Sequence, residues 1–136
     1  MRVVLDTNVI VSAVLTAYGA CSRIVDLLIE GELELCADDR ILAEYTSVLE
    51  RPELRIDPHD AAVLLELIRS VAHPVAGAPL SVQLPDPEDT AFLEVAAASQ
   101  SILITGNTRH FPKGSRAGVK VLTPREFLEQ MRSSHQ

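Results

Sequence analysis

Aromatic side chains are scarce: the chain has three Phe, two Tyr and no Trp. Its core must therefore be built from Val, Leu, Ile and Ala, which suits helices packed on a buried parallel sheet. Cysteine is nearly absent too. Cys21 and Cys36 lie in apolar surroundings and form no close metal-type pair, so reduced thiols in a cytoplasmic protein are expected rather than a disulfide framework. The four histidines, His59, His73, His110 and His135, are scattered without H-x-x-x-H spacing, which argues against structural zinc. No apolar run approaches the roughly 20 residues of a membrane span. The hydrophobic first fifteen residues are interrupted by Asp6 and Asn8 and preceded only by Arg2, so no signal peptide is read there. Internal repeats and low-complexity segments are also missing.

The 136 residues, 47% of them hydrophobic, fit one ordinary domain over 1–136, with 133–136 expected to fray. The formal net charge of −7 is unevenly spread. Between Val95 and Arg125 there is no acid, whereas Arg109, Lys113, Arg116, Lys120 and Arg125 are all basic. A basic segment on an acidic body is either a phosphate-contacting face or a solvated loop.

Arg2 to Leu5 is a β-branched run that reads as a strand ending at Asp6. Asp6, Thr7 and Asn8 are capping residues, and a helix is expected to begin near Asn8. A second helix covers Ala20 to Glu30 and stops at Gly31. Leu33 to Cys36 alternates as a strand, and Asp38 or Asp39 caps a helix reaching about Arg51, before Pro52. Asp57-Pro58 opens a helix ending near Val71. The proline-rich stretch His73 to Pro87 reads as a loop with some extended structure at Leu80 to Leu84. Asp86-Pro87-Glu88-Asp89 leads into a helix over Thr90 to Gln100. Strands are expected at Ile102 to Thr105 and Val119 to Leu122, and Thr123-Pro124-Arg125-Glu126 fits a capping box for the last helix, to about Arg132. Helices alternating with short buried strands point to one α/β layer structure on a mainly parallel sheet.

Several acids occupy places that structure alone does not require. Asp6 stands where a strand hands over to a helix, the place where open α/β sheets gather their ligands. It is either a cap or a site acid. Glu44 lies at the border of its helix's apolar arc, beside Ile41 and Val48. Asp89 precedes Phe92, Leu93 and Ala96 by three, four and seven residues and so faces inward. For Asp86, capping and function weigh equally. Asn107 follows its strand as Asp6 follows the first. Converging hard oxygen donors suit Mg2+ or Mn2+ and phosphoryl chemistry, in which the metal activates water and neutralises phosphate charge.

In their order and spacing, these motifs resemble the PIN-domain ribonucleases, and within them the VapC-like toxins of type II toxin-antitoxin pairs. The resemblance rests on Leu5-Asp6-Thr7-Asn8-Val9, Ile41-Leu42-Ala43-Glu44-Tyr45, Asp86-Pro87-Glu88-Asp89-Thr90-Ala91-Phe92-Leu93-Glu94, Ile104-Thr105-Gly106-Asn107 and Leu122-Thr123-Pro124-Arg125-Glu126-Phe127-Leu128. It implies a three-layer α/β/α PIN-like sandwich and a Mg2+- or Mn2+-dependent endoribonuclease. Asp6, Glu44 and Asp89 would be its catalytic, metal-binding acids, with Asp86 as an adjacent ligand. Thr7, Asn8 and Thr105 would support the site. The family often has an acid where this chain has Asn107, whose amide oxygen is neutral. Arg109, Lys113 and Arg116 would guide RNA phosphates. A cognate antitoxin and a homodimer are implied as well, with the antitoxin groove on the helices near Val9 to Ile29 or on Ala61 to Val71.

Two other readings compete. One is a catalytically weak or inactive PIN-like domain that binds RNA or a partner protein, marked by Asn107. The other is a phosphotransfer domain with Asp6 as nucleophile, disfavoured because the haloacid dehalogenase pattern wants a second acid where Asn8 stands.

Overall fold

The computed structural model describes residues 1–134, and its centre is a five-stranded parallel sheet in the order β3-β2-β1-β4-β5. These strands are β1 (Arg2–Leu5), β2 (Glu34–Ala37), β3 (Ala72–Pro74), β4 (Ile102–Ile104) and β5 (Val121–Leu122). In register, Val3 lies opposite both Leu35 and Ile102, and Leu103 lies opposite Val121. Beyond their first residues, Arg2, Glu34 and Ile102, the three central strands carry only buried apolar residues, because a parallel sheet is covered on both faces.

Among the described residues six helices flank the sheet: α1 (Thr7–Leu15), α2 (Ala20–Ile29), α3 (Asp39–Leu49), α4 (Pro58–Val71), α5 (Thr90–Ser99) and α6 (Pro124–Ser134). The chain steps outward from β1 to β2 to β3, then returns to the far side of β1 as β4 and β5. Right-handed crossovers put the helices of those two directions on opposite faces. Accordingly α5 lies across β1, β2 and β4, while α1 packs on α2 and α3, and α2 on α4 and α6. The reversal places a crevice between the carboxyl ends of β1 and β4.

Local signals explain most of the boundaries. Asp38 accepts from the Ile41 N–H at 3.0 Å, and Asp57 from the His59 N–H at 2.7 Å, each capping its helix. Thr123 and Glu126 bond each other's backbone N–H groups in the expected capping box. Gly31 ends α2 with φ +81°, a conformation that a side chain resists.

The structure departs from expectation at several points. β3 falls where only loop was expected; it tolerates Pro74 because it is an edge strand and needs partners on one side alone. Leu80 to Leu84 forms no strand. It is held instead as loop against α5, where the Leu80 N–H donates to Glu94 Oε2 at 2.9 Å and Leu84 is buried. Glu94 also meets the Arg40 guanidinium at 2.8 Å, and Gly77 sits so close to α5 that a Cβ would lie 3.1 Å from the Glu94 backbone. α3 ends at Leu49 rather than Arg51, and Pro52 opens a single 3-10 turn. β5 is only Val121–Leu122, because the Val119 N–H is taken by a turn bond to the Arg116 carbonyl. α6 runs on through Ser133 and Ser134, with Phe127 buried and Leu128 and Met131 packed against the core. The expected fraying of 135–136 lies outside the described residues.

Candidate metal-binding site

Both strand ends at the crevice supply a polar side chain. Asp6 follows β1 directly, and its N–H continues the ladder to the Ile104 carbonyl at 2.9 Å. It occupies the N-cap position of α1, yet its side chain accepts from no backbone N–H of the helix. Its Oδ2 instead accepts from Thr105 Oγ1 at 2.8 Å and Asn8 Nδ2 at 3.3 Å, and faces His110 Nδ1 at 3.3 Å. Asp6 is therefore held by the neighbouring strand at 4% exposure, and the capping reading fails. Thr105, wholly buried after β4, is fixed by its own backbone bond to β5 at the Leu122 carbonyl. Asn8 is locked from the other side, its Oδ1 accepting from the Gly106 N–H at 2.9 Å.

Asp89 enters from the 3-10 turn Pro87–Asp89 ahead of α5. Its side chain is nine-tenths buried and accepts no hydrogen bond among the described residues; the basic group facing it is His110 Nδ1, 3.8 Å from Oδ2. Burial, reinforced by the Asp6 carboxylate and opposed by His110, raises its pKa from the usual 3.8 to about 6. One oxygen each from Asp6 and Asp89 and one His110 ring nitrogen all lie within 4.8 Å of one another. Two buried carboxylates with unused oxygens form a donor set that fits a divalent cation.

The other expected residues divide. Glu44, half-buried on α3, accepts from Thr7 Oγ1 at 2.6 Å and adds its field to Asp89. It flanks the cluster without joining it. Asp86 is exposed and caps the Pro87 turn, accepting from the Glu88 N–H at 3.0 Å. Asn107 caps another turn, Thr108–His110, by accepting from the Arg109 N–H at 3.1 Å, and makes no hydrogen bond to either Asp. Arg109 and Lys113 are exposed on the same loop, while Arg116 Nε is committed to the Phe111 carbonyl at 2.8 Å.

His110 was not anticipated from sequence. Spacing rules look for ligands that are close along the chain, whereas His110 reaches Asp6 across 104 residues. Its position on the loop leaving β4, three residues beyond Asn107, was the available signal. Arg40, Asp38 and Glu94 form a second charged cluster, but their charges satisfy one another.

A parallel sheet in the order 3-2-1-4-5 with acids at its switch point defines an α/β protein of acidic-site type. More narrowly, the sequence matches the PIN domain family over residues 2–109, and the chain belongs to that family. An uncharacterised protein of Methanocaldococcus jannaschii, MJ1680, is 28% identical over 96% of this chain and 91% of its own length. Among solved structures, a chain of VapBC2 from Rickettsia felis, bound to a DNA fragment from their promoter, superposes with a TM-score of 0.60 at 15% identity. That match covers 90% of this chain and 98% of the other. A chain of FitAB bound to an IR36 DNA fragment gives 0.53 at 20% identity, covering 90% and 94%. These likenesses establish the PIN-like fold.

Proposed function

We propose that the chain is a Mg2+- or Mn2+-dependent endoribonuclease and the toxin of a type II toxin-antitoxin pair. The observation that carries this reading is the buried Asp6–Asp89 pair at the sheet's switch point, with Asp89 lacking any hydrogen-bond donor among the described residues.

Asp6 and Asp89 would hold the cation, which when bound supplies charge neutralisation and a polarised water for phosphodiester hydrolysis. Thr105 and Asn8 orient Asp6 by donating to Oδ2, and no hydrogen bond among the described residues is made to Oδ1. Thr7 holds Glu44 at the site's margin, where it serves as a further acid for the cation or for water. Asp86 is a more distant acid whose main work is the turn that presents Asp89. Arg109 and Lys113, exposed and in no ion pair among the described residues, contact the RNA backbone; Arg116 contributes charge while bracing their loop. Cleavage of RNA that is abolished in Asp6→Asn, with an unchanged circular dichroism spectrum, is the expected result. Full activity in that variant overturns the assignment.

A second reading, a PIN-like domain without activity that binds RNA or a protein, is favoured by one observation: Asn107 contributes neither charge nor a contact to the acids. Calorimetric titration separates the two, since failure to bind either Mg2+ or Mn2+ selects the inactive domain.

The VapBC2 and FitAB neighbours support an antitoxin partner. A groove of about 500 Å3 lies between α1, α2 and α4, lined by Val14, Val25, Val63, Leu64 and Leu67. Both helical regions expected to seat an antitoxin thus contribute to one groove. A homodimer and a cytoplasmic location belong to the same reading; no single helix among the described residues is long and apolar enough to cross a membrane.

A further inference from the structure

After β4, the place that Asp6 holds after β1, the chain offers an amide, Asn107, and that amide is spent on a turn. Asn107 Oδ1 takes the Arg109 N–H, and the His110 N–H bonds the Asn107 carbonyl at 3.1 Å. Phe111, wholly buried, anchors the next position, and its carbonyl is pinned by Arg116. The loop is therefore fixed on both sides of His110. Its imidazole stands edge-on to the Phe111 ring, with centroids 6.4 Å apart. Nδ1 is turned inward, 3.3 Å from Asp6 Oδ2 and 3.8 Å from Asp89 Oδ2.

We infer that His110 completes the cation site through Nδ1 in place of a carboxylate, and that this mixed oxygen and nitrogen donor set selects Mn2+ over Mg2+. The inference rests on the metal-site reading above and adds a ligand and a selectivity to it. Mg2+ demands oxygen and sheds water reluctantly, so an imidazole gains it little. First-row transition ions accept imidazole more readily than Mg2+ does, and Mn2+ is a first-row transition ion that carboxylates also suit. Of the two ions, this donor set therefore favours Mn2+. Asp89, the acid without a donor, keeps its demand for a cation either way, which is why the change of ligand alters preference rather than abolishing binding.

The test uses the full chain freed of any histidine tag and treated with chelator, titrated calorimetrically with Mn2+ alone and with Mg2+ alone. Wild type is expected to bind Mn2+ about tenfold or more tighter than Mg2+; His110→Ala should lose most of that preference by weakening Mn2+, with Mg2+ affinity changed less than about threefold. Electron spin-echo spectra of bound Mn2+ should show nitrogen coupling from one imidazole in wild type and none in His110→Ala. An unchanged Mn2+ to Mg2+ ratio in the variant, or no nitrogen coupling in wild type with Mn2+ bound, overturns the inference. In that case loss of binding in Asp6→Asn still upholds the acidic site. Absence of binding of both ions to wild type overturns both.

Discussion

A carboxylate that is buried without a donor reports on its own protonation. Asp89 has its pKa raised to about 6, first by burial and then by Asp6, so the folded chain holds a proton there that the unfolded chain has lost. In chelator, stability is therefore fullest near the unfolded pKa and below, and falls as pH rises through about 6, by an amount on the order of 3 kcal/mol. Asp89→Asn should remove this decline. Urea unfolding of both proteins between pH 4 and 7 measures it: the variant's advantage should grow up to about pH 6 and then level off, and parallel curves would refute the account. Asp6, unlike Asp89, is supplied with hydrogen-bond donors, by Thr105 and Asn8. The contrast between the two acids lies in their neighbours, since the residue type is the same.

At the scale of elements, the site depends on how α3 is tied to β1. Tyr45 is fully buried on α3 and its hydroxyl donates to the Leu5 carbonyl at 2.5 Å, the peptide immediately before Asp6. Burial, with the fields of Asp6 and Glu44, keeps that phenol protonated by raising its pKa well above the usual range. Tyr45→Phe should cost about 1–3 kcal/mol of stability, because the Leu5 carbonyl loses its extra donor in a dry interior. Chemical denaturation checks this. The loop over α5 is packed to the same tolerance at Gly77, where Gly77→Ala should cost about 1–3 kcal/mol because the Cβ would press on helix backbone, which cannot turn aside. A thermal melt of that variant should show a lowered midpoint.

Elements of this kind were largely legible in the sequence because their signals are local: Asp38, Asp57 and Thr123 cap the helices they were expected to cap. β3 was hidden by Pro74, which is read as excluding a strand unless its edge position is known. The inward direction of Asp89 was legible from the apolar period of α5. What could not be read was which side chains meet across the crevice. Asn107 and His110 lie on one short loop, and only the turn geometry decides that the histidine faces the acids.

For the whole molecule, a cation that binds the folded chain alone is a stabiliser by mass action. Mn2+ at about 100 times its dissociation constant should add about 2.7 kcal/mol, seen as a raised melting midpoint that Asp6→Asn abolishes. An unmoved midpoint at saturating Mn2+ would contradict the metal site. The overall charge of −7 does not oppose an RNA partner, because the loop that leaves β4 carries Arg109, Lys113, Arg116 and Lys120 and no acid. The hydrogen bond from Thr105 to Asp6 joins residues 99 positions apart. Closing so long a stretch of chain is entropically costly and tends to come late in folding. On the ribosome, Asp6 emerges long before β4 exists to be laid beside it, and Asp89 before the strand that completes the crevice. The acids thus stay apart and hydrated throughout most of synthesis, and the chain acquires its acidic crevice only when its last strands dock.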